Sequence, residues 1–209
     1  MKMKMISNVL IGSALTLAAC STTAQAAVLL SDLNNVGLDF TYLSFDNNTT
    51  VFPTFYRVAG TADQFGGAGS NFAPLDISSQ PLLEVSARIG SGNQNAAFNV
   101  LLQDSDGTQV GYTFAETLFN TSTFTNAYAL IATPSFINLP GSAPGLNTSA
   151  ITQFQLQGTF SPASPPASPN LLPFRFDFDN VAAVPEPATI GLLGVISMML
   201  ITRRRMEVL

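Results

Sequence analysis

Histidine and tryptophan are absent from this chain of 209 residues, and cysteine occurs once. Without histidine, Ser-His-Asp and Cys-His catalysis are excluded, as are His-ligated zinc, His-held haem and HExxH chemistry. A single cysteine excludes an internal disulfide and a four-cysteine metal site. Charge is scarce: charged residues make up 10% of the chain, against ~25% in an ordinary soluble domain. Both lysines, Lys2 and Lys4, fall at the N-terminus, and three of the six arginines are Arg203, Arg204 and Arg205. From Ala27 to Ala183 only Arg57, Arg88 and Arg175 face nine Asp and two Glu, a net charge of −8. An acidic body without lysine cannot neutralise phosphates, so no nucleic-acid partner is expected.

What is present begins with two terminal segments that read as addresses. Lys2 and Lys4 precede an apolar run from Met5 to Ala19, and small residues with Ala24-Gln25-Ala26 follow. A basic start, an apolar centre and an A-x-A site make a secretory signal peptide over residues 1–26, with Ala24 and Ala26 at the cleavage site and Ala27 as the new N-terminus. An overlapping alternative is Leu17-Ala18-Ala19-Cys20, which resembles the lipobox of bacterial lipoproteins. That resemblance implies an acylated Cys20 anchoring a structural surface protein.

The other end reads Val184-Pro185-Glu186-Pro187, then Ala188 to Ile201 without a charge, then Thr202 and the three arginines. Pro187 suits the first turn of a helix, and Glu186 suits its positive end. Ala188 to Thr202 would extend about 22 Å as a helix, short of the ~30 Å hydrocarbon core. Snorkelling arginines and a locally thinned bilayer close that gap. Arg203, Arg204 and Arg205 belong on the cytoplasmic side, which leaves the body outside. Within the segment 184–209, Val184 to about Arg205 resembles the PEP-CTERM sorting signal, and Met206-Glu207-Val208-Leu209 extends past its arginines. The resemblance implies recognition by a membrane-embedded exosortase after export by the secretion machinery. It also implies a place at the cell surface, outer membrane or extracellular matrix, among exopolysaccharides, with a transient inner-membrane anchor.

The body, residues 27–183, alternates apolar and polar residues with the period of β-strands. Leu83, Val85, Ala87 and Ile89 oppose Glu84, Ser86 and Arg88. Phe98, Val100 and Leu102 alternate with Asn99 and Gln103, and Phe154 and Leu156 with Gln153, Gln155 and Gln157. Phe174, Phe176 and Phe178 alternate with Arg175, Asp177 and Asp179. Fainter strands are expected at 38–45, 50–59, 108–115 and 127–131. Eight or so one-sided strands predict an all-β fold, an antiparallel β-sandwich of jelly-roll type. Sixteen Phe furnish its core, each burying about 150–250 Å².

Asp104-Ser105-Asp106-Gly107 reads as a hairpin turn rather than a calcium loop: its glycine comes too early for an EF-hand and no bidentate Glu closes it. Gly66-Gly67-Ala68-Gly69-Ser70 reads as a flexible loop, since no lysine or strand-to-helix context makes it a phosphate cradle. The Pro/Ser-rich stretch 161–169 reads as an exposed polyproline-like loop. The order of strands, with Leu146 to Leu156 and the closing Phe176-Asp-Phe-Asp-Asn-Val181, is similar to galactose-binding-like jelly rolls, including carbohydrate-binding modules. The resemblance implies carbohydrate as a partner and a structural calcium held in part by Asp179. The alternative is a solvated strand face on which Asp177 and Asp179 pair with Arg175. Tyr42, Tyr56, Tyr112 and Tyr128 are the tyrosines available to stack on a sugar. No motif pairs carboxylates for catalysis, and a non-enzymatic body is expected. A glycan hydrolase would have to rest on Glu84 and Glu116.

Overall fold

The computed structural model describes residues 25–33, 38–42, 50–62, 67–158 and 172–186. The signal-peptide residue Ala24, Cys20, the 161–169 stretch, Pro187 and the segment 188–209 with Arg203, Arg204 and Arg205 lie outside them. Among the described residues no helix is long and apolar enough to cross a membrane.

Twelve strands and one 3₁₀ turn make up the described chain: β1 Val28–Ser31, β2 Phe40–Tyr42, β3 Thr50–Phe52, β4 Phe55–Ala62, β5 Gly67–Leu75, β6 Leu82–Ile89, β7 Ala97–Asp104, β8 Gln109–Ala115, the turn Glu116–Leu118, β9 Thr125–Leu130, β10 Phe136–Leu139, β11 Ile151–Gly158 and β12 Leu172–Val184. All pairings are antiparallel. They form two six-stranded sheets. The first runs β3-β4-β12-β6-β9, with β1 also on β12; the second runs β10-β8-β7-β11-β5-β2. The expected β-sandwich is the observed fold.

The long strand β12 organises the first sheet. Its one edge pairs with β6 from Phe176 to Val184. Its other edge is shared: β4 takes residues 172–178 and β1 takes Val181 to Ala183. The register slips between Phe178 and Asn180, a bulge at Asp179. A bulge inserts one residue and re-aims the side chains beyond it.

The period of two puts the apolar face of each strand inside, and in β7 the opposite face is covered as well, with Asn99 and Leu101 buried. Phe174, Phe176 and Phe178 are buried, as are Phe98, Val100, Leu102, Phe154 and Leu156. Phe98 joins the two sheets: its ring meets Phe176 and Phe178 edge-on at 4.9 Å each and stacks on Phe114 at 5.5 Å. Edge-to-face pairing matches the positive ring edge to the negative ring face.

Two expectations fail here. The glycine stretch at 66–70 is not a flexible loop: Gly67 to Leu75 is β5, paired with β11 and β2. Ala68 points into the core with no exposed surface. Gly69 lies under a crossing ring, since a Cβ there would stand 2.7 Å from Phe40 Cζ and 2.4 Å from the Phe154 carbonyl oxygen. Here glycine is chosen for close approach rather than for flexibility. The face of β12 opposite the three Phe is not uniformly solvated either, because Asp177 is 1% exposed.

Candidate functional site

The outward face of the second sheet carries amides. Alternation places Gln153, Gln155 and Gln157 of β11 beside Asn99 and Gln103 of β7, Gln109 and Thr113 of β8, and Asn71 of β5. The edge strand β10 adds Asn138. These groups join across the strands. Gln109 Nε2 donates to Gln103 Oε1 at 3.0 Å and to Gln153 Oε1 at 3.3 Å. Gln153 Nε2 donates to Asn71 Oδ1 at 2.7 Å. Asn138 donates to Gln109, and Gln155 to Gln153. A second row runs from Thr113 Oγ1 to Asn99 Oδ1 at 2.8 Å and from Asn99 Nδ2 to Gln157 Oε1 at 3.1 Å.

A groove of about 390 Å³ opens over this network, lined by Phe40, Gln103, Gln109, Asn138, Leu139, Gln153, Gln155 and Gln157. No lining side chain carries a charge. Each amide offers both a donor and an acceptor, and linking them fixes which end of each faces the groove. Phe40 brings an aromatic ring on the β2 side, laid across Gly69, and Leu139 stands on the β10 side. Phe136 repeats the ring-on-glycine arrangement at that side: a Cβ on Gly111 would lie 2.2 Å from its ring.

The hairpin 104–107 supports the loop that leads from β10 to β11. Asp104 is buried; its Oδ1 accepts from the N–H groups of Asp106 and Thr108, and its Oδ2 accepts from Asn147 N–H at 2.7 Å. Asp106 Oδ1 accepts from Thr108 N–H and Oγ1, and its Oδ2 accepts from Ala143 N–H at 2.9 Å. Hydrogen bonding to Asp104, and then to Thr108, pulls the Asp106 carboxyl far below the usual carboxylate range. The turn therefore does more than reverse the chain. Its carboxylates are capped by N–H donors and pin residues 143 and 147.

On the other sheet, Asp177 pairs with Arg57 and Arg88 instead of the expected Arg175. Arg57 Nε and Nη2 reach its two oxygens at 2.6 and 2.8 Å, and Arg88 Nε reaches Oδ2 at 2.8 Å. The hydrogen bond to Asp177 raises the Arg57 pKa further. The guanidiniums are layered between rings: Arg57 over Phe52 and Phe55, Arg88 over Phe55 and Phe124, at 4.8–5.4 Å. Alternation placed Arg88 and Asp177 opposite the apolar rows of their strands but could not show that Asp177 stands between Arg57 and Arg88 or which strands are neighbours.

Asp179, the residue implied for calcium, stands at the β12 bulge and accepts from Ser86 Oγ at 3.4 Å. Among the described residues no three acidic, cysteine or histidine side chains gather to hold a metal. Tyr56 and Tyr112 are core residues, the latter donating to the Ile131 carbonyl at 2.8 Å and its pKa raised by burial. Tyr128 is 46% exposed, but on β9 of the first sheet. The Tyr42 side chain lies outside the described ones. The ring that lines the groove is that of the half-buried Phe40, which alternation alone did not distinguish from a core residue. Glu84 interacts with Tyr128 and Glu116 accepts from Asn93 Nδ2 at 3.1 Å. Neither lines the groove.

The architecture is that of a carbohydrate-binding-module-like β-sandwich. No family model and no curated protein matches the chain. Solved structures do. The family 11 carbohydrate-binding module of the cellulosomal cellulase Lic26A-Cel5E of Clostridium thermocellum matches with a TM-score of 0.53 at 15% identity, covering 78% of this chain and 96% of that one. A family 11 module from the same organism, in complex with a β-1,3-1,4-mixed-linked tetrasaccharide, matches at 0.51 and 14%, covering 76% and 95%. The agarase AgWH50C matches at 0.54 and 12%, covering 78% of this chain and 25% of that enzyme.

Proposed function

We propose that this chain is an exported, non-enzymatic protein whose second sheet binds an uncharged polysaccharide. The observation that carries the reading is the groove: a jelly-roll face floored by a cross-linked amide lattice, bordered by one aromatic ring and free of charged lining residues. Vicinal hydroxyls of a sugar need paired donors and acceptors at fixed spacing, and amides provide both. A flat apolar ring face of a sugar suits Phe40. The fold shared with a module solved on a mixed-linked glucan tetrasaccharide supports the same reading. The secretory start, the surface placement and recognition of the 184–209 segment by an exosortase belong to it, with extracellular polysaccharide as the partner and the membrane as a temporary anchorage.

The test is co-sedimentation or affinity electrophoresis of the exported protein with neutral glycans, mixed-linked β-glucan and agarose among them, and with a uronate polymer for contrast. Gln153→Ala and Phe40→Ala are each expected to weaken binding about tenfold, the worth of one well-made contact. Uniform failure to bind neutral glycans, or binding untouched by both substitutions, overturns the proposal.

A further inference from the structure

The start of the fold contains an arrangement that the glycan reading does not use. Gln80 sits in the connection between β5 and β6 and is 4% exposed. Its Nε2 donates to the Ala26 carbonyl at 3.0 Å. Among the described residues nothing donates to its buried Oε1. An unpaired amide oxygen loses its hydration on burial with nothing in return, so a native orphan of this kind calls for an explanation. Ala26 and Ala27 themselves are exposed.

The carbonyl that Gln80 holds belongs to the peptide bond between Ala26 and Ala27, the bond at which the sequence places signal cleavage. Hydrolysis of that bond removes the Ala26 carbonyl and leaves a primary ammonium on Ala27. The nitrogen starts about 2 Å from the departed oxygen, and it is a donor with no acceptor capacity. The partner that Gln80 lacks is a donor to Oε1. We infer that Gln80 is a capture site for the new N-terminus: after processing, the Ala27 ammonium turns onto Gln80 Oε1 and closes the first strand onto the body. The place vacated by Ala26 lies at the exposed edge, so Nε2 can be hydrated.

Topology sets the order of events. Among the described residues β1 pairs only with β12, Val28 against Ala183, so the first described strand waits for the last. The Ala26–Ala27 bond is therefore accessible as extended chain until the whole body has crossed the membrane. Capture follows the cut and does not compete with it.

This inference rests on the export reading, and the two can fail separately. Lys2 and Lys4 both precede the cut, so the processed chain has one primary amine, that of Ala27. The experiment is acylation of the exported full-length gene product with an N-hydroxysuccinimide ester of acetate at neutral pH, followed by intact mass. The expected result is a chain beginning at Ala27 that labels about tenfold more slowly than Gln80→Met, one charge-assisted hydrogen bond's worth of protection. Gln80→Glu, which keeps the acceptor and adds charge, should label at least as slowly as the wild type. Equal rates for wild type, Gln80→Met and urea-unfolded protein overturn capture while leaving the cut intact. A mass showing an acylated Cys20 or an uncut leader overturns the cut and the capture with it.

Discussion

Asp177 illustrates how one residue's role depends on partners far along the chain. It is a carboxylate with 2% of its side chain exposed, held by two guanidiniums that retain 22% and 26%. Removing its charge leaves two arginines facing each other across stacked rings. Asp177→Asn is expected to cost about 3 kcal/mol, the lower end for a broken buried pair because both guanidiniums keep a solvent edge. Asp179→Asn, on a half-buried residue that accepts a long bond from Ser86 at 3.4 Å, should change stability by less than about 0.5 kcal/mol. Urea unfolding of both variants checks the contrast, and comparable losses would contradict it. The adjacent charges look alike in the sequence. The bulge at Asp179 and the strands on either side of Asp177 make them different.

At the level of elements, the edge strands and loops shape the groove. β10 and β2 each lay a phenylalanine over a glycine of the neighbouring strand, Phe136 on Gly111 and Phe40 on Gly69. A ring over a glycine fills the space its missing side chain leaves and pins the register. The loop from β10 to β11 is held by Asp104 and Asp106. Since the folded state holds the Asp106 carboxyl below its unfolded value, its contribution is present above about pH 4 and is lost as pH falls further. Wild-type protein should therefore lose thermal stability on acidification below that point, and Asp106→Asn should be less stable at neutral pH with a shallower acid slope. Parallel curves for the two proteins would contradict this account. The glycines of β5 misled the sequence reading because composition reports flexibility, while close approach is visible only when the opposing ring is known.

The whole molecule is two-faced. Arg57, Arg88 and Arg175, the arginines of the body, all lie on strands of the first sheet, while the groove on the second is lined by amides, one ring and one leucine. Recognition through hydrogen bonds and ring contact does not depend on an ionic atmosphere. Glycan affinity should change by less than about twofold between 0.05 and 0.5 M NaCl, a range over which exposed charge interactions are strongly screened. A steep salt dependence in affinity electrophoresis would move the binding surface to the arginine-bearing sheet.

By itself the sequence determined the class of fold and the kinds of chemistry available. Period-two alternation in β6, β7, β11 and β12 marks strands with an apolar face turned to the core, and the glutamines of β11 could be read as the opposite row. The absence of histidine and the single cysteine removed whole families of mechanism without any structure. Only the tertiary structure decided which rows stand side by side. It joined Gln153 to Asn71 and Gln109, gave Asp177 its arginines, brought Phe40 across Gly69 and set Ala26 against Gln80. Each of these contacts links residues far apart in the chain. Their register is set by the summed packing of both sheets, and that sum is not written in any local stretch of residues.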